Sequence, residues 1–301
     1  SHDVKFEPIY SRQSFIKEGK HIFWGGLTLA SENEGVGLFN QELSAFLSLG
    51  GKIFYDSPVT GLFFKHNKVM GVYIGEKKIE ADSVILASGG FEANDDLRKF
   101  FIGKEWLKAK VRGTPHNTGD GLNMALKLGA QKNGLYDGCH ATPMDLHMKN
   151  YGGLDLEPKE RKNYRKICYF LGIMINEKGQ RFLDEGKNFR NYTYAQYGRK
   201  VLEQPNHFAW QIFDSKVFDL LYDEYRFHDA HFVEGKTIDE LISKMDGVDK
   251  IKTKKTIVEY NNAVDLDTAF DPTILDGKST LDLSIKKSNW AQRIDKSPFR
   301  A

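Results

Sequence analysis

Four ionisable side chains, Arg181, Asp184, Glu185 and Arg190, fall within ten residues of one another. Two cations and two carboxylates this close do one of two things. They form a salt-bridge network that fixes a loop, or they bind an anionic substrate and move protons. Arginine stays protonated in most settings and presents forked donors that suit a carboxylate. It can pass a proton only where carboxylates relay it, and Asp184 and Glu185 are near enough in sequence to do so. For Asp184 the simpler reading is a pin in a salt-bridged turn. Upstream, His140 stands in Gly138-Cys139-His140-Ala141-Thr142-Pro143. A lone histidine is more often a structural hydrogen-bonder than a ligand. Thr142 and Tyr192 could each donate a hydrogen bond to a carboxylate.

These residues need a frame. A strand at 173–176 and a turn at Lys178-Gly179, where glycine supplies a positive φ, deliver the charged cluster. Residues 207–213 read as a buried strand, and Asp214 to Lys216 open a helix. Further helices cover 241–245 and 257–263, and Thr237 with Glu240 three residues on makes a capping box. The lysine-rich run 250–255 reads as a solvated helix face.

The first half has a different rhythm. Phe6, Ile9, Tyr10 and Phe15 read as anchors of a polar start. Trp24-Gly25-Gly26 lets the backbone approach a neighbour closely, or simply makes a turn. Leu38, Phe39, Leu43, Phe46, Leu47 and Leu49 follow helical spacing, stopped by Gly50-Gly51. Strands are expected at 52–55, 59–65 and 69–74, with turns at 56–58, His66-Asn67 and 76–78. Residues 83–87 form a short apolar run of the kind buried in a parallel sheet.

That run ends in Ser88-Gly89-Gly90-Phe91. A strand running into a glycine pair marks the carboxyl edge of a sheet, where open α/β folds bind ligands. Taken alone it is a tight turn. It is followed about thirty residues later by Asn117-Thr118-Gly119-Asp120-Gly121 and an amphipathic helix over 122–129. Thr118 or Asp120 can cap that helix, and its first amides can hold an anion. Two glycine-rich element ends at this spacing fit one phosphate- or ribose-bearing cofactor.

Composition narrows the classes. The 301 residues are 40% hydrophobic and 13% aromatic, enough for a sizeable core in one or two domains. A net charge of +2 gives no basic field for nucleic acid. No apolar run approaches the roughly 20 residues of a membrane helix, and no signal peptide is visible at the start. Two cysteines, Cys139 and Cys168, make neither a disulfide framework nor a metal motif, and a cytoplasmic setting is expected. No paired-histidine zinc motif occurs.

Taken in order, Ala87-Ser88-Gly89-Gly90-Phe91, residues 117–121 with Met124-Ala125 and Gly129-Ala130, and residues 176–185 resemble the FAD-dependent fumarate reductase and succinate dehydrogenase flavoprotein family. The stretch 181–185 followed by Phe189-Arg190-Asn191-Tyr192-Thr193-Tyr194 and Tyr197-Gly198-Arg199 most resembles its tricarballylate dehydrogenase branch. So do residues 258–264, 288–292 and Pro298-Phe299. The likeness runs over about residues 20–301.

The resemblance implies an α/β fold: a partial FAD-binding, Rossmann-like domain with a β-meander over residues 1–135, plus an inserted α+β capping domain over 136–301. It implies FAD, held by Val59, Ala87, Ser88, Gly89, Gly90, Thr118, Gly119 and Asp120. It implies a hydride transfer between flavin and a CH–CH bond of a di- or tricarboxylate, with Arg190 as proton carrier, Arg181 second to it, and Glu185 relaying. His140 and Thr142 would bind substrate carboxylates, although Ala-Thr-Pro follows His140 where the family has Pro-Thr. The family's G-x-G-x-x-G strand is not found in residues 1–40, so the sequence reads as an internal stretch of a longer enzyme that also lacks a closing flavin segment. The electron carrier is not indicated. Two other readings stand beside this one: a ketosteroid-type desaturase of the same fold, and an inactive binding module with a degenerate flavin site.

Overall fold

A computed structural model of the chain describes residues 4–154, 156, 157, 161 and 164–301. In chain order the elements are β1 (Phe6–Pro8), α1 (Tyr10–Gln13), β2 (Ser14–Lys17), β3 (Lys20–Phe23), β4 (Leu29–Ser31), α2 (Glu34–Ser48), β5 (Gly61–Lys65), β6 (Lys68–Ile74) and β7 (Lys77–Glu80). They continue with α3 (Asp95–Phe101), α4 (Asp120–Lys127), β8 (Ile173–Ile175), α5 (Arg190–Leu202), β9 (Trp210–Asp214), β10 (Glu234–Gly235), α6 (Ile238–Lys244), α7 (Lys250–Ala263) and β11 (Phe299–Arg300). The chain forms two compact units. One comprises Ser1–Val4, Gly35–Cys139 and Asn150–Lys159; the other comprises Lys5–Glu34, His140–Lys149 and Glu160–Ala301.

In the first unit the strands β5, β6 and β7 make an antiparallel meander. Its first hairpin turns at His66 and Asn67, both at positive φ, as a tight two-residue connection requires. The second turn is shorter than expected: Gly75 and Glu76 make it, and Lys77 and Lys78 already pair with Ile74 and Tyr73. Helix α2 ends at Ser48, and Gly50 just beyond it takes a φ of 83°. Two expected strands do not form. Residues 52–55 and 83–87 have no ladder partner, and Phe54 and Ile85 are 75% and 90% exposed. A buried parallel strand needs a hydrogen-bonding neighbour, and every strand ladder among the described residues is antiparallel.

In the second unit the sheet runs β10-β11-β9-β8. Strand β8 is buried on both faces, and its period of two divides the core. Met174 faces an aromatic cluster with Trp24, Tyr169, Phe170, Tyr222 and Trp290. Ile173 and Ile175 face Leu241 of α6, Met245 just after it, and Ile257 and Tyr260 of α7. Thr237 caps α6 by accepting from Glu240 N at 3.1 Å, but Glu240 turns to Lys236 N, so the capping box is half made. The lysines of α7 are exposed. The start of the chain is less anchored than its aromatics suggest: Phe6 and Tyr10 are exposed, while Phe15 packs on the aromatic cluster. Short antiparallel pairs β1–β4 and β2–β3 carry Trp24 into that cluster.

After β8 the chain turns at Gly179, with a φ of 70°. A Cβ there would lie 2.6 Å from the Thr253 nitrogen on α7, so the turn needs glycine twice over. The Glu177 carbonyl accepts from Asp249 N, and Thr256 Oγ1 donates to the Gly179 carbonyl. The loop that follows is thereby fixed at its start before it reaches α5.

Candidate active site

Arg181 and Glu185 form a forked ion pair. Nε donates to Oε1 at 3.0 Å and Nη2 to Oε2 at 2.5 Å. Glu185 is fully buried, and its Oε1 also accepts from Met174 N at 2.8 Å. The other Arg181 donors reach the carbonyls of Ile285 and Leu183, and the guanidinium lies over the Tyr260 ring. Burial works against this charge, and the Glu185 carboxylate more than offsets it, holding the guanidinium above its ordinary pKa. All of this ties loop to core. Asp184 is likewise occupied, by Gly186 N, Ser288 N and the Ser288 hydroxyl. Tyr197 donates to its carbonyl.

Arg190 is arranged differently. It is the first residue of α5 and 7% exposed. Its Nε donates to the Tyr222 hydroxyl at 2.7 Å, and the guanidinium lies 5.2 Å from the centre of that ring. Its Nη2 is buried without a partner. Burial raises the pKa of Tyr222, with the arginine pulling the other way, so the phenol stays protonated. The expected relay from Glu185 to Arg190 is not formed: Glu185 is taken by Arg181, and Arg190 by Tyr222.

Helix α5 also brings His140 to the region of Arg190. Tyr194 lies four residues after Arg190, on the same helix face, and packs edge-on to His140 at 5.1 Å between ring centres. Ala141 N donates to the Ala195 carbonyl, and Gly198 N donates to the Ala141 carbonyl. A Cβ on Gly198 would lie 2.4 Å from the Ala141 carbonyl carbon, so glycine allows the segment with His140 and Thr142 to lie against α5. Thr142 is half-buried and Tyr192 is exposed.

In the other unit the two glycine-rich segments meet. Ala93 N donates to the Asn117 carbonyl, and Asn117 Nδ2 donates to Glu92. A Cβ on Gly121 would lie 2.4 Å from Ser88 Oγ, and one on Gly89 would lie 2.6 Å from Asn117 Oδ1. Helix α4 is preceded by Gly119 in the left-handed region, and neither Thr118 nor Asp120 caps it. Their side chains bond to each other at 2.6 Å instead. Gly90 approaches Glu92, Ala87 is exposed beside Ser88, and Val59 lies before β5, outside this cluster of contacts.

Two residues escaped the sequence reading. Tyr222 is 32 residues from Arg190 and looks like any core tyrosine. Lys287 is 0% exposed, and its Nζ donates to the Gly172 carbonyl at 2.6 Å. Burial lowers its pKa to about 8 against the opposing pull of Glu185.

Residues 28–273 match the family described as FAD binding domain. A probable fumarate reductase of Shewanella frigidimarina is 28% identical over 228 residues, 73% of this chain and 34% of that protein. The chain belongs to the FAD-dependent fumarate reductase and succinate dehydrogenase flavoprotein family. Within this flavoprotein family, a 3-oxosteroid 1-dehydrogenase of Mycolicibacterium smegmatis is 28% identical over 188 residues, 56% of the chain and 31% of that protein. The open conformation of a flavocytochrome c3 fumarate reductase superposes with a TM-score of 0.63 at 21% identity, covering 99% of this chain and 48% of the other. That likeness shows a shared α/β flavoenzyme fold. The chain spans about a third of the length of these curated relatives. FAD is the cofactor of the family, and glycine lets the two segments close on each other: a Cβ at Gly89, Gly119 or Gly121 would meet Asn117, Leu97 or Ser88. Among the described residues no helix is long and apolar enough to cross a membrane.

Proposed function

We propose that the chain is part of an FAD-dependent oxidoreductase that transfers a hydride between flavin and a CH–CH bond of a di- or tricarboxylate, of the fumarate/succinate or tricarballylate type. The observation that carries this reading is Arg190, a buried cation with Tyr222 on one side and an unpaired Nη2 on the other. A buried guanidinium with open donors is suited to a carboxylate. The bound FAD supplies the two-electron chemistry.

The chain's own residues bind, orient and hold protons. Arg190 clamps one substrate carboxylate through Nη2 and holds the proton exchanged with the adjacent carbon. Tyr222, rather than Glu185, fixes its orientation. His140, backed by Tyr194, receives a second carboxylate, with Thr142 donating beside it. Arg181, Glu185 and Asp184 hold the loop that aims Arg190. In the other unit Ser88, Gly89, Gly90, Thr118, Gly119 and Asp120 hold FAD, with Ala87 and Val59 flanking. The Asp120 carboxylate in the first turn of α4 suits a cofactor hydroxyl better than a phosphate. The unit with Gly35–Cys139 serves the cofactor and the one with His140 caps the substrate. Electrons leave through a separate carrier, and Cys139 and Cys168, neither of them in a disulfide, suit a reducing compartment such as the cytoplasm.

A second reading has its own support. Phe15 and Phe170 pack on Trp24, and Trp24 packs on the Tyr222 ring that meets Arg190; this aromatic neighbourhood also suits an apolar ring and so a 3-oxo desaturase. The full-length FAD-loaded enzyme, assayed on fumarate, tricarballylate and a 3-oxosteroid, separates the two. The first reading expects turnover of a polycarboxylate, lost in Arg190→Ala at unchanged flavin content. Turnover of the steroid alone would overturn it.

A further inference from the structure

Arg190 is not the only buried donor without a partner beside Tyr222. Trp24 is 4% exposed, and its indole Nε1 is also unpaired. The indole packs against the Tyr222 ring at 6.2 Å between centres, the ring over which the Arg190 guanidinium lies at 5.2 Å. Phe15 and Phe170 hold the indole in place at 4.7 and 5.4 Å. The backbone is set as well. Trp24 N donates to the Gln13 carbonyl, and a Cβ on Gly25 would lie 3.2 Å from the Phe189 ring, next to Arg190. The residues that follow the β2–β3 hairpin and the start of α5 are thus built against each other, and each packs a side chain with one orphaned donor on the ring of the same tyrosine.

A buried N–H left without an acceptor costs free energy comparable to a lost hydrogen bond. Tryptophan gives only a donor and arginine gives only donors, so what satisfies both is an acceptor, and beside a guanidinium an anionic one. We propose that Trp24 is a specificity-determining residue: its indole N–H and Arg190 Nη2 together receive one carboxylate of the substrate beside the Tyr222 ring. This rests on the polycarboxylate reading given above. It adds that the carboxylate at this end is read by two donors from segments more than 160 residues apart. A neutral ester or amide at that position accepts less strongly and gains much less from the pair.

The test uses the full-length FAD-loaded enzyme and equilibrium titration with tricarballylate and succinate, followed by perturbation of the flavin absorbance. Trp24→Phe keeps an aromatic ring and removes the donor. The expected result is a Kd raised about tenfold or more for the carboxylate ligand that wild type binds, at unchanged flavin-to-protein ratio. A Kd within twofold of wild type overturns the role of Trp24 and leaves the polycarboxylate reading standing. Wild type binding neither acid overturns both. If the variant does not fold, wild-type enzyme labelled with 15N-tryptophan decides: one indole N–H resonance moves downfield with added ligand, and no movement of any indole resonance overturns the proposal.

Discussion

Lys287 offers a quantitative test of how this capping core is held together. Its ammonium is fully buried with one carbonyl acceptor, Gly172, next to the Arg181–Glu185 pair. Burial brings its pKa from 10.5 to about 8, the Glu185 carboxylate opposing the drop. At about 1.4 kcal/mol per pKa unit, this corresponds to a loss of roughly 3 kcal/mol of stability when the amine must be charged. The unfolded chain binds the proton more tightly than the folded one. The loss is therefore complete below about pH 8 and is relieved as pH rises toward 10.5. Lys287→Met removes the titration and leaves the Gly172 carbonyl unpaired, which costs about 1–3 kcal/mol and does not depend on pH. Urea unfolding of both proteins from pH 7 to 10.5 gives the difference directly, since other titrating groups cancel. Wild-type stability minus variant stability should climb by about 3 kcal/mol across that window. A flat difference would refute a neutralisable buried amine at this position.

Other expectations follow from the same geometry. Arg181→Ala strands the buried Glu185 carboxylate and should lower stability by about 3–5 kcal/mol in denaturant unfolding, with Arg181→Met combined with Glu185→Gln recovering part of it; a loss under about 1 kcal/mol would show that the pair is solvated. Gly198→Ala forces a methyl against the Ala141 carbonyl and should cost about 1–3 kcal/mol. The same change should weaken substrate binding through displacement of His140, and unchanged binding at reduced stability would detach His140 from the site. Gly121→Ala drives a methyl into Ser88 Oγ and should lower bound FAD, read as the flavin-to-protein absorbance ratio. Retention of full flavin in this variant would remove these segments from the cofactor site.

What the sequence made legible was local. The positive-φ pair His66-Asn67 placed a hairpin, and the spacing from Leu38 to Leu49 placed α2, because turn chemistry and helical period are written in neighbouring residues. Apolar runs misled where burial depends on a partner strand: residues 83–87 have the composition of an interior strand, but no ladder forms. At the candidate site, the four charges between Arg181 and Arg190 were visible as a set, but their division of labour was not. Arg181 differs from Arg190 through its partners, Glu185, Leu183, Ile285 and Tyr260 for the one and Tyr222 for the other, and Ile285, Tyr260 and Tyr222 are distant in sequence. Lys287 beside Lys286 carries no local sign that one is buried and the other exposed.

Strand β11 sits between β9 and β10, although it comprises Phe299 and Arg300 at the far end of the sequence. During synthesis, β8 and β9 can pair early, but β10 has nothing to pair with until residue 300 has left the ribosome. Closure of this sheet is thus a late event with a long sequence separation, and such events are slow. Until it happens, the inner edges of β9 and β10 are open to pairing with other chains. The unit that carries Arg190 should therefore depend more on chaperones than the unit with the self-contained meander. Truncations that remove β11 should yield aggregates rather than a smaller folded core.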